Sequence, residues 1–228
     1  MRPEARLEAL EARVVRCRRC PRLVAWREEV ARTKRRAFAN ETYWGKPIPA
    51  FGSANARLVV VGLAPAAHGG NRTGRMFTGD RSGDWLYAAM HAHGFASQPT
   101  SVHKGDGLVL KDAFITAGAR CAPPDNKPTR EEFANCRPWM VGELELLQGM
   151  RVVVALGGLA WTEFLLAWKA RGGELPRPLP KFAHRAETLL EGVTLLGSYH
   201  PSQQNTSTGR LTRPMLEGVF ARARTLLA

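Results

Sequence analysis

Residues 57–62 read RLVVVG. The β-branched run is continuous rather than alternating, and it stops on glycine. A strand of that kind is buried on both faces, as in the centre of a parallel sheet. Working outward, residues 151–156 (RVVVAL) repeat the pattern and residues 193–198 (VTLLGS) supply another strand. Residues 108–117 (LVLKDAFITA) contain a further one in their later part. Helical patterns fall between these runs, over 84–93, 129–148, 159–170 and 212–227, and two more precede them, over 4–16 and 22–36. Thr129 and Glu132 have the spacing of a capping box, which fixes one helix start. Residues 40–53 read as an ordered loop. Alternating strands and helices predict an α/β fold, three-layer α/β/α with a central four-stranded parallel sheet. One domain over residues 1–228 is expected. Its working site should lie beyond the carboxyl ends of the strands, in the loops at 63–83, 117–128, 157–158 and 199–209.

The composition is that of a globule. Hydrophobic residues make up 44% of the 228 and charged residues 23%, enough for a sizeable core. No apolar run has the length of a membrane span, and no secretory signal pattern is present, so a cytoplasmic protein is expected; it is separately expected to be a monomer. The 33 Lys+Arg against 20 Asp+Glu give a net charge of +13. A field of this sign attracts a polyanion, with salt-dependent binding to phosphates. A generally basic surface, or a ribosome-associated protein, would account for the same charge.

Cys17 and Cys20 form a C-x2-C pair, and Cys121 and Cys136 follow in mid-chain. Cytosolic thiols stay reduced, which favours metal ligands over disulfides. Four buried, unrelated cysteines are the competing reading. Spacing does not separate zinc from an iron–sulfur cluster, because four thiolates serve both. Either would tie residues 1–36 onto the sheet. Arg16, Arg18, Arg19, Arg120 and Arg137 beside the cysteines would offset the thiolate charge.

Residues 62–80 read GLAPAAHGGNRTGRMFTGD. The stretch is rich in glycine, yet both common phosphate-loop spacings are missing. Paired with His200-Pro201-Ser202 after the last strand, it resembles the uracil-DNA glycosylase superfamily, and within it the type-b, or family five, enzymes. The CAPPDNKPT stretch from Cys121, the HPSQQNT stretch from His200 and the cysteine spacing carry the same resemblance. It implies excision of uracil from DNA and a [4Fe–4S] cluster on Cys17, Cys20, Cys121 and Cys136. It also implies a nucleotide flipped out of the duplex, because the glycosidic bond is inaccessible inside the stack.

The base pocket would comprise Gly62, Ala64, Phe77 and Ala117, with the base between Phe77 and His200. Many relatives carry Asp or Asn in the short first motif, whereas residues 62–66 (GLAPA) have no polar side chain. Ala117 likewise stands where related families place a base-reading Asn. A pocket without those groups loses its penalty against analogues, so hypoxanthine and xanthine are expected substrates besides uracil. His200 would donate a hydrogen bond to the departing base. Asp80 would serve the attacking water, with Asn126 as a weaker candidate for base or water. Asp80 would otherwise cap the next helix, but Ser82 and Asp84 read as better-placed caps. His68 and Asn71 share the loop without an assigned role. Gln203, Gln204 and Asn205 would enter the duplex, and Arg210, with Arg213, would grip phosphates. Two other readings compete: a non-catalytic iron–sulfur protein that binds nucleic acid, and a zinc-stabilised RNA-associated protein.

Overall fold

The computed structural model describes residues 2–228. Met1, the first residue of the expected domain, lies outside them. The described residues form eight α-helices and a single sheet of six strands. The four expected strands form its centre: β2 (Leu58–Gly62), β3 (Ala113–Ala117), β4 (Val152–Leu156) and β6 (Val193–Ser198). They run parallel in the order β3-β2-β4-β6.

The sheet is nevertheless wider than the expected four strands. β1 (Phe51–Gly52) adds to β3 and β5 (Glu187–Leu190) to β6, both antiparallel. These edges escape a pattern search for physical reasons. β1 has two residues inside a loop. β5 has one face in solvent and a polar start, and a two-residue turn of Glu191 (φ 45°) and Gly192 (φ 87°) joins it to β6.

Period-two alternation assigns each central strand residue to a layer. Leu58, Val60, Ile115, Val154 and Leu196 pack under α4 (Arg81–Ala92) and α8 (Arg213–Leu227). Val59, Val61, Phe114, Val153 and Leu195 face α5 (Arg130–Leu146) and α6 (Gly158–Ala170). The strands are therefore buried on both sides, which is why they read as continuous apolar runs. The Thr129–Glu132 capping box starts α5 as expected. On its outer side lies α1 (Pro3–Val15), while α2 (Pro21–Thr33) reaches the loop region at the carboxyl ends of the strands. No helix among the described residues is long and apolar enough to cross a membrane.

Candidate active site

The loop after β2 carries most of the site, and two arginines hold it. Inside it, α3 (Gly70–Thr73) makes one turn. Arg72 donates to the His68 carbonyl at 2.8 Å, to the Gly79 carbonyl at 2.9 Å and to the Glu41 carboxylate at 2.5 Å, stapling the loop's two ends. Arg75 is buried. Its Nη2 pairs with the Asp106 carboxylate at 2.8 and 2.9 Å and donates to Ser101 Oγ at 2.8 Å, and its Nε donates to Thr78 Oγ1 at 2.9 Å. Burial alone would raise the Asp106 carboxyl. Arg75 and the Leu108 and Val102 amides outweigh it and hold the group well below the usual carboxylate range. Tyr87 adds a bond to the Met76 carbonyl at 2.9 Å.

Together these contacts hold Phe77 at φ 51°, a left-handed conformation costly for an aromatic residue. Its ring lies on the backbone of Gly62, where a Cβ would fall 2.7 Å from Cζ. Gly83, in the first turn of α4, meets the Phe77 carbonyl so closely that any Cβ would overlap it. Both glycines therefore let the Phe77 turn sit down on the strand and the helix.

At the carboxyl ends of β2, β3 and β6 opens a cleft of about 410 Å³. Gly62, Ala64, Phe77, Asp80, Ala117, Asn126, His200 and Gln203 all line it, so residues spread over the whole chain meet in one place. The Phe77 and His200 rings are 6.0 Å apart with their planes at 33°. Two aromatic stacking gaps need about 7 Å. The rings therefore form adjacent parts of one wall, and the expected placement of a base between them does not fit this arrangement.

Asp80 is the N-cap of α4. Its Oδ1 accepts from the Gly83 amide at 3.1 Å, correcting the expectation that Ser82 or Asp84 would cap that helix. The helix simply starts one turn earlier than its apolar pattern. The other carboxylate oxygen packs against Gly69, which has no room for a Cβ. Burial pushes the Asp80 carboxyl above the usual range, and the Gly83 and Ser82 amides and Arg72 only partly oppose this. One residue thus combines capping with a place in the cleft.

His200 is half-buried, and burial pushes its imidazole down to about 4, so the ring is neutral at pH 7. Among the described residues, its ring nitrogens have no hydrogen-bond partner within the protein and remain available in the cleft. Its loop braces itself. Ser202 caps α7 (Gln203–Ser207) by accepting from the Asn205 amide at 3.3 Å, and Asn205 Nδ2 donates to the His200 carbonyl at 2.9 Å. Asn205, expected to contact DNA, therefore spends its amide on holding His200. Asn126 stands exposed at the rim with φ 56°, beside Asp125 at 52°.

Other expected contacts lie farther out. Gln203 and Gln204 are exposed; only the first lines the cleft. Arg210 lies over the Tyr199 ring at 4.7 Å and Arg213 over Trp85 at 5.1 Å. His68 bonds to Tyr43 and does not line the cleft, while Asn71 is buried and donates to the Arg27 carbonyl at 3.2 Å. Arg72, Arg75 and Asp106 were not singled out from the sequence. Within so basic a chain, nothing local marks two arginines as internal braces.

Cys17, Cys20, Cys121 and Cys136 line one small cavity between α2 and α5. Among the described residues, no three His, Cys, Asp or Glu side chains are grouped to hold a single metal ion. Arg27 and Arg120, each 2% exposed, border the cavity. Arg27 Nη1 donates to Cys121 Sγ at 2.9 Å, and the Arg120 amide donates to Cys136 Sγ at 3.3 Å. The Nε atoms of both arginines are buried without a partner.

A model of the uracil DNA glycosylase superfamily matches residues 49–224. A type-5 uracil-DNA glycosylase of Mycobacterium tuberculosis is 55% identical over 219 residues, spanning 95% of this chain and 80% of the relative. The one from Thermus thermophilus is 50% identical over 220 residues, 96% of this chain and 97% of its own. That of Pyrobaculum aerophilum is 46% identical over 211 residues, 92% and 89% of the two chains. With a family match that takes in every strand and likenesses that also take in the N-terminal helices, the chain belongs to the uracil DNA glycosylase superfamily, in its type-5 branch.

Proposed function

We propose that this protein is a DNA-repair glycosylase that hydrolyses the N-glycosidic bond of uracil in DNA and leaves an abasic site. The observation that carries the reading is the meeting of Phe77, Asp80 and His200 in one cleft at the carboxyl ends of the strands. The names of the type-5 relatives support the same activity.

The geometry supports the following chemistry. The flipped base stacks on the exposed part of Phe77, with its edge toward His200. As the bond between the sugar C1′ and the base nitrogen breaks, the electron pair leaves with the base. Neutral His200 donates an N–H to a base oxygen as negative charge gathers there, which stabilises the departing anion without a charged imidazole in a poorly solvated site. The Asp80 carboxylate faces the positive charge left on the sugar. It orients a water whose oxygen bonds to C1′, and it accepts that water's proton. Asn126, at the rim, is the weaker candidate for contacting base or water.

The cleft is floored by Gly62, Ala64 and Ala117, and their side chains offer no hydrogen bond to a base edge. We extend the reading to deaminated purines on that ground. Without a buried polar group to be left unpaired, hypoxanthine and xanthine meet no more penalty than uracil.

The cysteine cavity fits an iron–sulfur cluster of the [4Fe–4S] type. Four cysteines line one cavity, and four thiolates are the ligand set such a cluster requires. The buried guanidinium of Arg27, which donates to Cys121 Sγ, suits an anionic occupant, whereas that of Arg120 is paired with Glu143. Cys17, Cys20, Cys121 and Cys136 would hold such a group, which would tie α2 to α5 and supply no atom to bond cleavage.

Incubation of the purified protein with a uracil-containing duplex, followed by alkaline cleavage, tests the activity. Strand scission at the uracil is expected. An intact strand, with DNA binding retained, would favour a non-catalytic iron–sulfur protein on the same fold. Parallel duplexes carrying hypoxanthine or xanthine test the wider range, and strict selectivity for uracil would remove it.

A further inference from the structure

We propose that Lys46 and Lys104, held together over the ring of Trp44, form a second DNA-backbone site that grips a phosphate outside the flipped nucleotide. Lys46 Nζ lies 5.6 Å and Lys104 Nζ 4.8 Å from the Trp44 ring centroid, although the two lysines come from segments far apart in the chain. Both side chains are exposed, and neither has an acidic partner within ion-pair distance among the described residues. By contrast, Arg18, Arg57 and Arg222, similarly exposed, are each paired with a carboxylate. Two ammonium groups on one ring repel each other. The ring's negative face partly offsets this, and DNA phosphate beside them would do so far better.

The platform is built rather than incidental. Trp44 Nε1 donates to the Pro47 carbonyl at 3.0 Å, and the Trp44 amide donates to the Arg72 carbonyl at 2.9 Å. Its ring presses on Gly74, where a Cβ would lie 2.9 Å from the indole. Lys104 is fixed through its carbonyl, which accepts from Arg75 Nη1 at 3.3 Å. The two arginines that shape the catalytic loop thus also fix this site.

Topology puts it on the correct side. β1 is antiparallel to β3, with Phe51 opposite Ile115 and Gly52 opposite Phe114. The chain entering β1 therefore lies at the carboxyl ends of the parallel strands, where the cleft opens. Gly74 and Phe77 are three residues apart, which is at most about 11 Å of chain. At about 3.4 Å of axis per nucleotide on one strand, that separation is about three nucleotides. On the other side of Trp44 and Lys46 a groove of about 460 Å³ continues past Arg16 and the paired Arg18 and Glu28, leading away from the cleft.

The inference rests on the glycosylase reading for the identity of its ligand, and its test is independent of catalysis. Lys46→Ala/Lys104→Ala is compared with Lys111→Ala/Lys169→Ala, whose charges lie near the opposite ends of the strands. Affinity for a uracil-free duplex is measured against salt by fluorescence anisotropy, and single-turnover cleavage of a uracil duplex is measured at saturating enzyme. Removing one or two phosphate contacts should lower the slope of log affinity against log salt by about 1 to 2. The control pair should change it by less than half as much, and saturated cleavage should stay within about twofold of the unsubstituted protein. An unchanged slope, or an equal drop in the control pair, would overturn the proposal. So would displacement of the duplex by millimolar inorganic phosphate in the unsubstituted protein but not in Lys46→Ala/Lys104→Ala, which would mark a small-anion site. If the unsubstituted protein leaves uracil in place but its slope still depends on the two lysines, the function proposed above fails and this site stands.

Discussion

The His200 ring stands 6.0 Å from the ring of Phe77, and nothing within the protein occupies its nitrogens among the described residues. A flat apolar surface and a free N–H therefore share one wall of the cleft. In the proposed complex, stacking and charge stabilisation would act on the base from adjacent directions, with Phe77 under its face and His200 at its edge.

Loss of His200 should slow chemistry far more than binding. His200→Ala removes one donor to the leaving base, a change that costs about 10²–10³ in rate at comparable sites. Single-turnover cleavage should fall by that order while duplex affinity changes little. The imidazole is pushed down to about 4 from an ordinary value near 6.5. Between those pH values the unfolded chain takes up a proton that the folded chain refuses, so folding stability contributed by this site falls as pH drops from 6.5 toward 4 and is fully present above 6.5. The loss should reach at most roughly 3 kcal/mol. Urea titrations at pH 7 and pH 5 should show a shallower decline for His200→Gln; an equal decline would mean that His200 is charged in the folded protein.

Asp80 caps α4 and, in the proposed mechanism, serves the attacking water; two substitutions separate these roles. Asparagine caps a helix as well as aspartate does, so Asp80→Asn should leave the melting temperature within a few degrees. It removes the carboxylate, so single-turnover cleavage should drop by about 10²-fold or more. Asp80→Ala should lose both functions, with an additional stability loss of about 1 kcal/mol. Burial raises this carboxyl, so the acid limb of the rate profile should lie above the ordinary Asp range and be absent from Asp80→Asn. Near-normal cleavage by Asp80→Asn would remove Asp80 from the mechanism.

How much of this was legible beforehand depended on how locally each feature is encoded. The four central strands and the Thr129–Glu132 box are written in neighbouring residues, and they emerged as read. Asp80 and His200 could be named because short motifs carry them. The role of Asp80 as cap was misread because the apolar pattern of α4 begins after its first turn, at Trp85 and Leu86. Arg75 and Asp106 were invisible for a different reason. Their bond joins segments 31 residues apart, and only the folded loop takes both side chains largely out of water. The same holds for Asn205, which looks like a surface amide until its bond to the His200 carbonyl is seen.

Gly62 offers a test of the wall itself. A Cβ there would lie 2.7 Å from Phe77 Cζ and 2.9 Å from Cε2. The left-handed backbone of Phe77 and its close contact with Gly83 leave the ring little retreat except into the cleft. Gly62→Ala should therefore cost about 1–3 kcal/mol through overpacking and lower cleavage by at least about tenfold. Adding Phe77→Leu should recover stability, because the two changes share one contact, but not the rate, because the stacking surface is gone. Independent, additive losses in stability would show that the two residues do not touch.

The cysteine cavity makes its own prediction, read without reference to activity. Protein purified without oxygen should be brown and contain iron and acid-labile sulfide in the ratio of a [4Fe–4S] cluster, rather than one zinc per chain. Cys136→Ala should lose the colour, since burial puts this sulfur among the enclosed walls of the cavity. Its second effect should be on folding. Cys17 and Cys20 sit before and at the start of α2, Cys136 sits inside α5, and the only direct ion pair joining those two helices is Arg22 with Glu132 among the described residues. Binding free energy at such a site is folding free energy, so the melting temperature should fall on loss of the group, with proteolysis beginning near α1 and α2. The buried guanidinium of Arg27, which donates to Cys121 Sγ, would then face a neutral thiol instead of an anion, which adds to the loss. A colourless protein of unchanged stability would show that four neighbouring thiols suffice to hold this corner together.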